Sequence, residues 1–450
     1  MEKYMKRSLN PTQIIVIGFS LIILLGTVLL SLPIMTNDGN SVGIVNAFFT
    51  ATSAVCVTGL VVLDTATYWN IGGRIVILLL VQIGGLGFMT LGTLIALTIK
   101  KKISYRERLV IQESLNQTSL SGIVSLVKKI LLFSFSIELV GASLLSIRFI
   151  PQFGVVKGMG YSIFHAITAF CNAGFDLMGT ETGLFSSLTS YQNDWLISLV
   201  ISILIIIGGI GFVVVFDLIH IRKYYRLPLH SKIVLIVTFI LLILGTISFL
   251  MIEYSNDLTF GNLPFHQKLI QSFFHSVTTR TAGFNSLDLG QIRNATILIT
   301  MILMFIGGSS GSTAGGIKTS TLAVAFAMVV SVLRGDNKIV LMKRQIAQDL
   351  INKTISIIFI SISLITLITI FLTITDPDLT LLEIIFETIS AFGTVGLSLG
   401  VTPKLSLMGK LLISLTMFLG RVGPLTFFLA LVSKTNLQKV SYPEEKIIVG

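Results

Sequence analysis

Charge is scarce in this chain. Of its 450 residues only 12% are Asp, Glu, Lys or Arg, while 53% are apolar. Soluble globular proteins carry roughly 25% charged residues. A shortfall of that size, sustained along the length, excludes a soluble domain as the main body and puts most of the chain in lipid. Cysteine is scarcer still, with Cys56 and Cys171 alone. Two thiols in so long a chain build no disulfide framework and match no zinc spacing. The five histidines form no metal-ligand cluster. A membrane enzyme would need a nucleophile–base pair, a metal cluster or an HExxH string, and none is recognisable. The first apolar run is too long for a signal peptide and lacks a small-residue cleavage site.

Long apolar runs are what the chain has instead. Residues 13–33, 75–99, 126–147, 195–219, 232–252, 295–306 with 321–333, 354–374 and 408–432 form eight of them. Each is long enough, or nearly so, to cross a hydrocarbon core of about 30 Å. The fold class is therefore an all-α polytopic membrane protein.

A net charge of +11 invites a nucleic-acid reading. The positions of the charges argue against it. Lys3, Lys6 and Arg7 precede the first span. Lys100, Lys101, Lys102, Arg106, Arg108, Lys128 and Lys129 lie between spans two and three. Arg222, Lys223, Arg226 and Lys232 lie between four and five, and Arg334, Lys338, Lys343, Arg344 and Lys353 between six and seven. Lys434, Lys439 and Lys446 follow span eight. These 22 of the 32 basic residues all fall on alternate connections. The other connections carry Asp38, Asp64, Asp176, Glu181, Asp194, Asp257, Asp288, Asp376 and Asp378. That is the positive-inside pattern, so both termini are expected in the cytoplasm. The basic inner connections and the 434–450 tail also offer a docking surface for an acidic partner.

The outer connections repeat. Each holds a semi-apolar stretch of about a dozen residues, at 43–55, 160–170, 265–278 and 381–392, a length that suits a re-entrant helix rather than a span. Each ends in a similar string: SAVCVTGL (53–60), TAFCNAGF (168–175), TTRTAGF (278–284) and SAFGTVGL (390–397). Phe49, Phe164 and Phe386 stand ten residues before the string glycines Gly59, Gly174 and Gly396. The third string is one residue shorter, counted from Phe274-His275 against Phe164-His165. The even-numbered spans share a second landmark: IGGLG (83–87), IGGIG (207–211), IGGSSG (306–311) and LGRVG (419–423). From string glycine to the first glycine of this landmark is 25, 34, 24 and 24 residues, the second being stretched by an insertion around 176–194. One glycine after an apolar stretch is a turn, and one Gly-Gly in a span is close helix packing. Two landmarks recurring four times at matched spacing are an internal repeat of span, re-entrant helix, loop and span. Its units are residues 1–112, 113–230, 231–350 and 351–434, followed by a cytoplasmic tail at 435–450. Eight transmembrane helices and four re-entrant pore helices would then surround one pore.

The unit suits a cation. Non-helical backbone at membrane depth is tolerated only where it lines a water-filled path. Four such loops around one axis present a ring of carbonyls, which replaces the hydration shell of a permeating cation. Glycine lets the backbone take angles closed to other residues. The short helix before each loop aims its negative end at the centre. The strings contain no acidic side chain, so the path is built from dipoles.

Taken together, the strings and the fourfold repeat over residues 10–435 resemble the Trk/Ktr/HKT superfamily of potassium transporters, and within it most nearly the membrane subunit of bacterial Ktr-type uptake systems. The resemblance implies potassium uptake across the plasma membrane, with potassium as the transported ion and no organic cofactor in this chain. It implies a filter lined by Val57, Thr58 and Gly59; Asn172, Ala173 and Gly174; Thr281, Ala282 and Gly283; and Thr394, Val395 and Gly396. It further implies a homodimer and a cytoplasmic nucleotide-binding, ring-forming regulatory subunit of the Ktr/RCK type. All four filter glycines are present, where sodium-preferring relatives tend to have serine in the first. The third loop departs by carrying Arg280, whose guanidinium is expected to point behind the filter. A sodium- or proton-coupled carrier is the alternative function. Its inverted repeats do not suit units that all start on the inner side.

The sixth span is interrupted by GGSSGSTAGGIKTST (307–321). Five glycines at about 1 kcal/mol each rule out a stable helix. The string misses the phosphate-loop pattern by one residue and follows no nucleotide-binding strand. Gly308, Ser309, Ser310, Gly311, Ser312, Thr313, Ala314, Gly315 and Gly316 read instead as a polar gate below the filter, and the resemblance implies the same. Arg421 stands where the other repeats have Gly85, Gly209 and Gly308, a costly charge at that depth, and is read as part of the barrier. Glu138, mid-span in the third run, is read as an interhelical hydrogen-bond contact.

The charge pattern makes a prediction about topology. A reporter fused after Gly450 is expected to read cytoplasmic, and one inserted near Glu181 external. The opposite result at either place breaks the eight-span arrangement.

Overall fold

Helices account for most of the chain. The computed structural model describes residues 9–99, 103–115, 121–221, 223–261, 263–336, 338–431, 443 and 445. Lys3, Lys6, Arg7, Lys100, Lys101, Lys102, Arg222 and nearly all of the 434–450 tail lie outside the described residues. In chain order the helices are α1 (Pro11–Ser31), α2 (Ile44–Val55), α3 (Thr65–Tyr68), α4 (Ile71–Leu86), α5 (Phe88–Thr98), α6 (Tyr105–Ser114), α7 (Ile123–Phe153), α8 (Val155–Phe170), α9 (Gly179–Thr182), α10 (Trp195–Ile210), α11 (Phe212–His220), α12 (Leu229–Glu253), α13 (Phe265–Thr278), α14 (Asn294–Phe305), α15 (Thr319–Arg334), α16 (Gln348–Thr375), α17 (Leu381–Gly393), α18 (Leu407–Val422) and α19 (Pro424–Leu431). A two-stranded antiparallel hairpin, β1 (Val340–Leu341) with β2 (Arg344–Gln345), links α15 to α16.

Four helices, α1, α7, α12 and α16, are by themselves long and apolar enough to cross a membrane. They show large apolar side chains outward: Leu21 and Leu25 on α1, Leu132 and Leu139 on α7, Phe239 and Met251 on α12, Phe359 and Ile374 on α16. Apolar surface on that scale fits lipid, not water. The short helices α2, α8, α13 and α17 sit inside. Their repeated phenylalanines Phe49, Phe164, Phe274 and Phe386 are all buried.

The same closure recurs four times, each with different chemistry. It ties the far end of a long helix to the start of the helix that follows the loop. Asn70, the N-cap of α4, donates from Nδ2 to Ile34 O at 2.6 Å, just past α1. Arg148 of α7 pairs with Asp194, the N-cap of α10, at 3.0 Å. Glu253, ending α12, accepts from Arg293 N at 2.9 Å, from Thr296, from Asn256 at 2.6 Å and from Thr259 at 2.8 Å. Asp376 after α16 accepts from Ser406 N at 2.6 Å and Ser406 Oγ at 3.1 Å. In three of the four the tied residue also caps the helix start: Asn70 Oδ1 accepts from Gly73 N at 3.1 Å, Asp194 from Leu196 N at 2.9 Å, and Ser406 Oγ from Gly409 N at 3.0 Å.

Three of the expected second spans are not straight. The runs 75–99, 195–219 and 408–432, read as continuous, bend by 93°, 96° and 94° between α4 and α5, α10 and α11, and α18 and α19. The physical reason is the last glycine of each landmark. Gly87, Gly211 and Gly423 have φ of 82°, 103° and 92°, where a glycine ends a helix readily. Among the described residues, four helices qualify as spans, or seven if each bent pair counts as one, and the shorter α14 and α15 flank the interrupted sixth run. The insertion around 176–194 is not a free loop. Phe185 N donates to Asp64 Oδ2 at 3.0 Å, Leu188 N to Asn285 O at 2.9 Å, and Gln271 Nε2 to Gln192 O at 2.5 Å. Near its start, Lys157 donates to Glu181 at 2.5 Å, and that bond holds the Glu181 carboxyl below its ordinary value.

The first landmark glycine is a packing device. A Cβ on Gly84, Gly208 or Gly420 would fall within 3.0 Å of the carbonyl of Val55, Phe170 or Phe392, each near the end of the short helix of its own repeat. Gly420→Ala is therefore expected to cost about 1–3 kcal/mol, the usual range for overpacking. It should lower the thermal unfolding midpoint of the purified protein by several degrees. Gly92→Ala in α5, where a Cβ meets open space, should leave that midpoint unchanged or raise it. Equal midpoints for the two variants would refute the packing account.

Candidate functional site

The four strings share one backbone shape. Val57, Asn172, Thr281 and Thr394 have φ of 57°, 58°, 69° and 50°. A left-handed conformation costs an ordinary residue roughly 1–2 kcal/mol, and three of these four are β-branched. Two residues on, Gly59, Gly174, Gly283 and Gly396 have φ of 86°, 67°, 81° and 92°. The shape is held from behind. Thr58 N donates to Ser53 O at 2.8 Å, Ala173 N to Thr168 O at 2.7 Å, Ala282 N to Thr278 O at 3.0 Å and Val395 N to Ser390 O at 2.9 Å. Gly59 N and Gly396 N donate to the Ser53 and Ser390 hydroxyls at 3.1 and 3.2 Å. With the N–H groups turned back onto the short helices, the carbonyl edges face the other way.

That other way is a common centre. A Cβ on Gly59 would fall within 3.0 Å of Ala173 O, on Gly174 of Ala282 O, on Gly283 of Val395 O, and on Gly396 of Thr58 O. The four contacts close a ring in chain order. Eight of the twelve residues expected at the filter are thus brought together by backbone contacts that leave no room for a side chain at the glycines, and Val57, Asn172, Thr281 and Thr394 stand immediately before them in the chain. Above the ring lies a cavity of about 250 Å³. The four glycines form its floor, and Asp64, Asp176 and Asp288 line its wall.

Arg280 takes the place in its loop that Cys56, Cys171 and Gly393 hold in the others, one before the left-handed residue. Its side chain is buried and turns away from the ring. Nη2 reaches Thr238 Oγ1 of α12 at 3.5 Å, and the guanidinium borders a small void beside Ile205, Leu242 and Gly308. This is the direction expected from repulsion of an ion. Glu138 of α7 accepts both carboxylate bonds from Gln82 Nε2 of α4, at 2.9 and 3.2 Å, an interhelical contact as read from the sequence.

The interrupted sixth run forms a loop under the ring. Its neck closes through Gly307 N to Ile317 O at 2.9 Å and Thr319 N to Gly308 O at 3.1 Å. Its flank docks on the bend between α10 and α11. Ser309 N donates to Gly209 O at 3.0 Å, Thr313 N to Gly208 O at 3.2 Å, and Phe212 N to Gly311 O at 3.0 Å. The broken helix has spare peptide groups there, and the loop uses them. Its top touches two strings: Thr313 Oγ1 donates to Phe170 O at 3.2 Å, and a Cβ on Gly315 would meet the Thr394 side chain. Arg421 closes the far side, donating to Thr313 O of the loop and to Gly84 O and Gly85 O of α4. The predicted gate residues and Arg421 are therefore in direct contact.

Sequence reasoning missed Lys318. Its Nζ donates to Ala314 O at 2.7 Å and Gly315 O at 3.4 Å, pinning the loop from inside. The signal is a lysine two residues after the last gate glycine, Gly316, where the gate expected from the sequence ends.

Comparison with known proteins now bears on this geometry. Residues 2–440 match the TrkH family, described as a cation transport protein. The chain belongs to the TrkH family. It is 46% identical to the Ktr system potassium uptake protein B of Bacillus subtilis, over 98% of this chain and 97% of that one. It is 44% identical to the potassium/sodium uptake protein NtpJ of Enterococcus hirae, over 100% and 99% of the two chains. The crystal structure of the potassium transporter TrkH from Vibrio parahaemolyticus superposes with a TM-score of 0.73 at 16% identity, covering 96% of this chain and 86% of that one, which speaks to the fold alone. As a TrkH-family member the chain is a membrane-embedded cation transporter rather than an enzyme.

Proposed function

We propose that this chain is the potassium-conducting membrane subunit of a Ktr-type uptake system. The observation that carries this reading is the closed ring of four string glycines, each against the carbonyl of the next loop. Carbonyl oxygens at such a ring can stand in for a cation's water shell, and the negative ends of α2, α8, α13 and α17 point toward it. The relatives named for potassium uptake supply the ion. In this reading four units, 1–112, 113–230, 231–350 and 351–434, each contribute two spans and one re-entrant helix, with both termini cytoplasmic in the plasma membrane. Relatives named as parts of a Ktr system support a separate regulatory subunit, here a cytoplasmic nucleotide-binding ring on a homodimer of this chain. A relative named for potassium and sodium uptake keeps sodium coupling as the second reading. Potassium uptake that rises with external sodium would favour it.

The filter reading is tested at Gly59. Serine there adds a Cβ where φ is 86° and the Ala173 carbonyl leaves no space. Gly59→Ser is expected to weaken discrimination of potassium from sodium in reconstituted vesicles. A folded variant with unchanged selectivity would remove the filter assignment.

The loop and Arg421 form one barrier in this reading. At an effective dielectric constant near 20, two unit charges about 4 Å apart repel by about 4 kcal/mol, which would throttle flux roughly a thousandfold. Opening requires the loop to shift and the guanidinium to withdraw. Deleting residues 310–315, or making Arg421→Ala, should each raise potassium flux and loosen its dependence on the regulator. Combined, they should give less than the product of their separate effects, because they remove one shared barrier. Unchanged flux after the deletion would reduce the loop to a packing kink.

A further inference from the structure

The residue after each repeated phenylalanine is Thr50, His165, His275 or Glu387. All four are buried, at 1%, 0%, 3% and 1% exposure. They stand on the short helices, and their bonds differ. Thr50 caps back onto its own helix, donating to Asn46 O at 2.9 Å. His275 meets Thr300 of α14 at 3.2 Å. His165 and Glu387 instead hold the chain that leaves the ring. His165 Nε2 accepts from Leu177 N at 3.4 Å, three residues after Gly174. Glu387 Oε1 accepts from the Thr402 hydroxyl, six residues after Gly396.

The Glu387 bond is the more consequential, because of what it holds. Leu397, Ser398, Gly400 and Thr402 line the cavity above the ring. Within that segment Gly400 N and Val401 N bond the Ser398 hydroxyl at 3.1 and 3.2 Å, so it is folded as one turn. Two side chains of α17 tie the turn down among the described residues: Ser390 at its start, through Gly396 N, and Glu387 at its end, through Thr402. Ser390 has its counterpart in Ser53 on Gly59 N. Glu387 has no acidic counterpart in the other repeats.

Glu387 is also unlike the structural acids of the same molecule. Both oxygens of Glu253 and of Asp376 are filled by donors. Around Glu387 the donors are two hydroxyls of the same turn, Thr402 on Oε1 and Ser398 beside the carboxyl, and Oε2 makes no hydrogen bond of full geometry. A carboxylate chosen only to anchor helices would be fully bonded, since a buried unsatisfied oxygen costs stability. Here the cost is accepted for contacts to the rim of the ring alone, of which the Thr402 bond is the well-formed one.

We propose that Glu387 is a positioning residue which, through Thr402, holds the segment after Gly396 in place and so sets how strongly the ring discriminates potassium from sodium. The inference rests on the filter reading above. With the bond intact, the fourth loop is fixed at both ends and its carbonyls keep the spacing of the larger ion. Without it, the end of the turn at Thr402 is free, and the turn is held only at its start, through Ser390 on Gly396 N and the Ser398 contact. The ring can then close on the smaller ion.

The test uses full-length protein reconstituted in vesicles, with potassium and sodium uptake measured over a range of concentrations and folding checked by size-exclusion profile. Thr402→Val removes the bond without touching the carboxyl. Glu387→Ala removes the acceptor. Glu387→Gln keeps an acceptor oxygen and removes the acid. Thr402→Val and Glu387→Ala are expected to lower the potassium-to-sodium ratio by roughly tenfold, the scale of one lost buried hydrogen bond, mainly through a raised KM for potassium. Glu387→Gln should stay within about twofold of the parent. A folded Thr402→Val with the parent ratio overturns the proposal. So does Glu387→Gln behaving like Glu387→Ala, since the charge rather than the bond would then be at work. If Glu387→Ala fails to fold, Thr402→Val still decides the question. Gly59→Ser run alongside separates the two layers. If it loses selectivity while Thr402→Val keeps it, this inference fails alone. If both keep it, the filter reading itself has failed.

Discussion

Everything in this fold answers to one constraint: a peptide group at membrane depth must have a partner. The four strings are irregular backbone, and their N–H groups are turned back onto α2, α8, α13 and α17. Only the carbonyl side is left for the centre. The bends after Gly87, Gly211 and Gly423 would expose further groups. At the α10–α11 bend the glycine loop takes them up, through Gly208 O, Gly209 O and Phe212 N. At the end of α4, Arg421 takes up Gly84 O and Gly85 O. Loop and arginine are thus held by the groups that the broken helices leave over. A change in either bend would alter the partners of the loop directly.

Much of this was legible because it is periodic. Matched spacing between string glycine and landmark glycine marks positions that meet backbone to backbone, and such positions tolerate only glycine. The sequence therefore records the contacts of Gly84, Gly208 and Gly420 as surely as those of Gly59, Gly174, Gly283 and Gly396. The short helices were legible from length alone. The carboxyl–amide closures at Glu253 and Asp376 were not, because each repeat solves that closure with a different residue pair and no pattern recurs.

The bends were illegible for another reason. An apolar run reports that a segment avoids water, not which way it points. The last glycine of IGGLG, IGGIG and LGRVG carried the information, but its role shows only once the sign of φ is known. Lys318 was hidden by its neighbours. In a glycine-rich string a lysine suggests phosphate, whereas here its ammonium bonds the carbonyls of its own loop. The insertion at 176–194 shows in the sequence only as a longer interval, and its ties to Asp64 and Asn285 lie more than ninety residues away.

The departures from fourfold symmetry are where a single chain differs from a ring of identical subunits. At the second landmark position three repeats carry glycine and one carries Arg421. A homotetramer with arginine there would set four guanidinium groups around one axis, and their mutual repulsion would add to that on any cation. Fused repeats allow one. The loop is likewise single, since only the third repeat interrupts its second span with fifteen polar and glycine-rich residues. The two unique features come from different repeats and meet at Thr313 O. Arg280, in the third string, is turned outward to Thr238 rather than toward that meeting point. Unequal repeats let a single guanidinium meet a single glycine-rich loop beneath the ring, while the ring itself keeps four similar backbones.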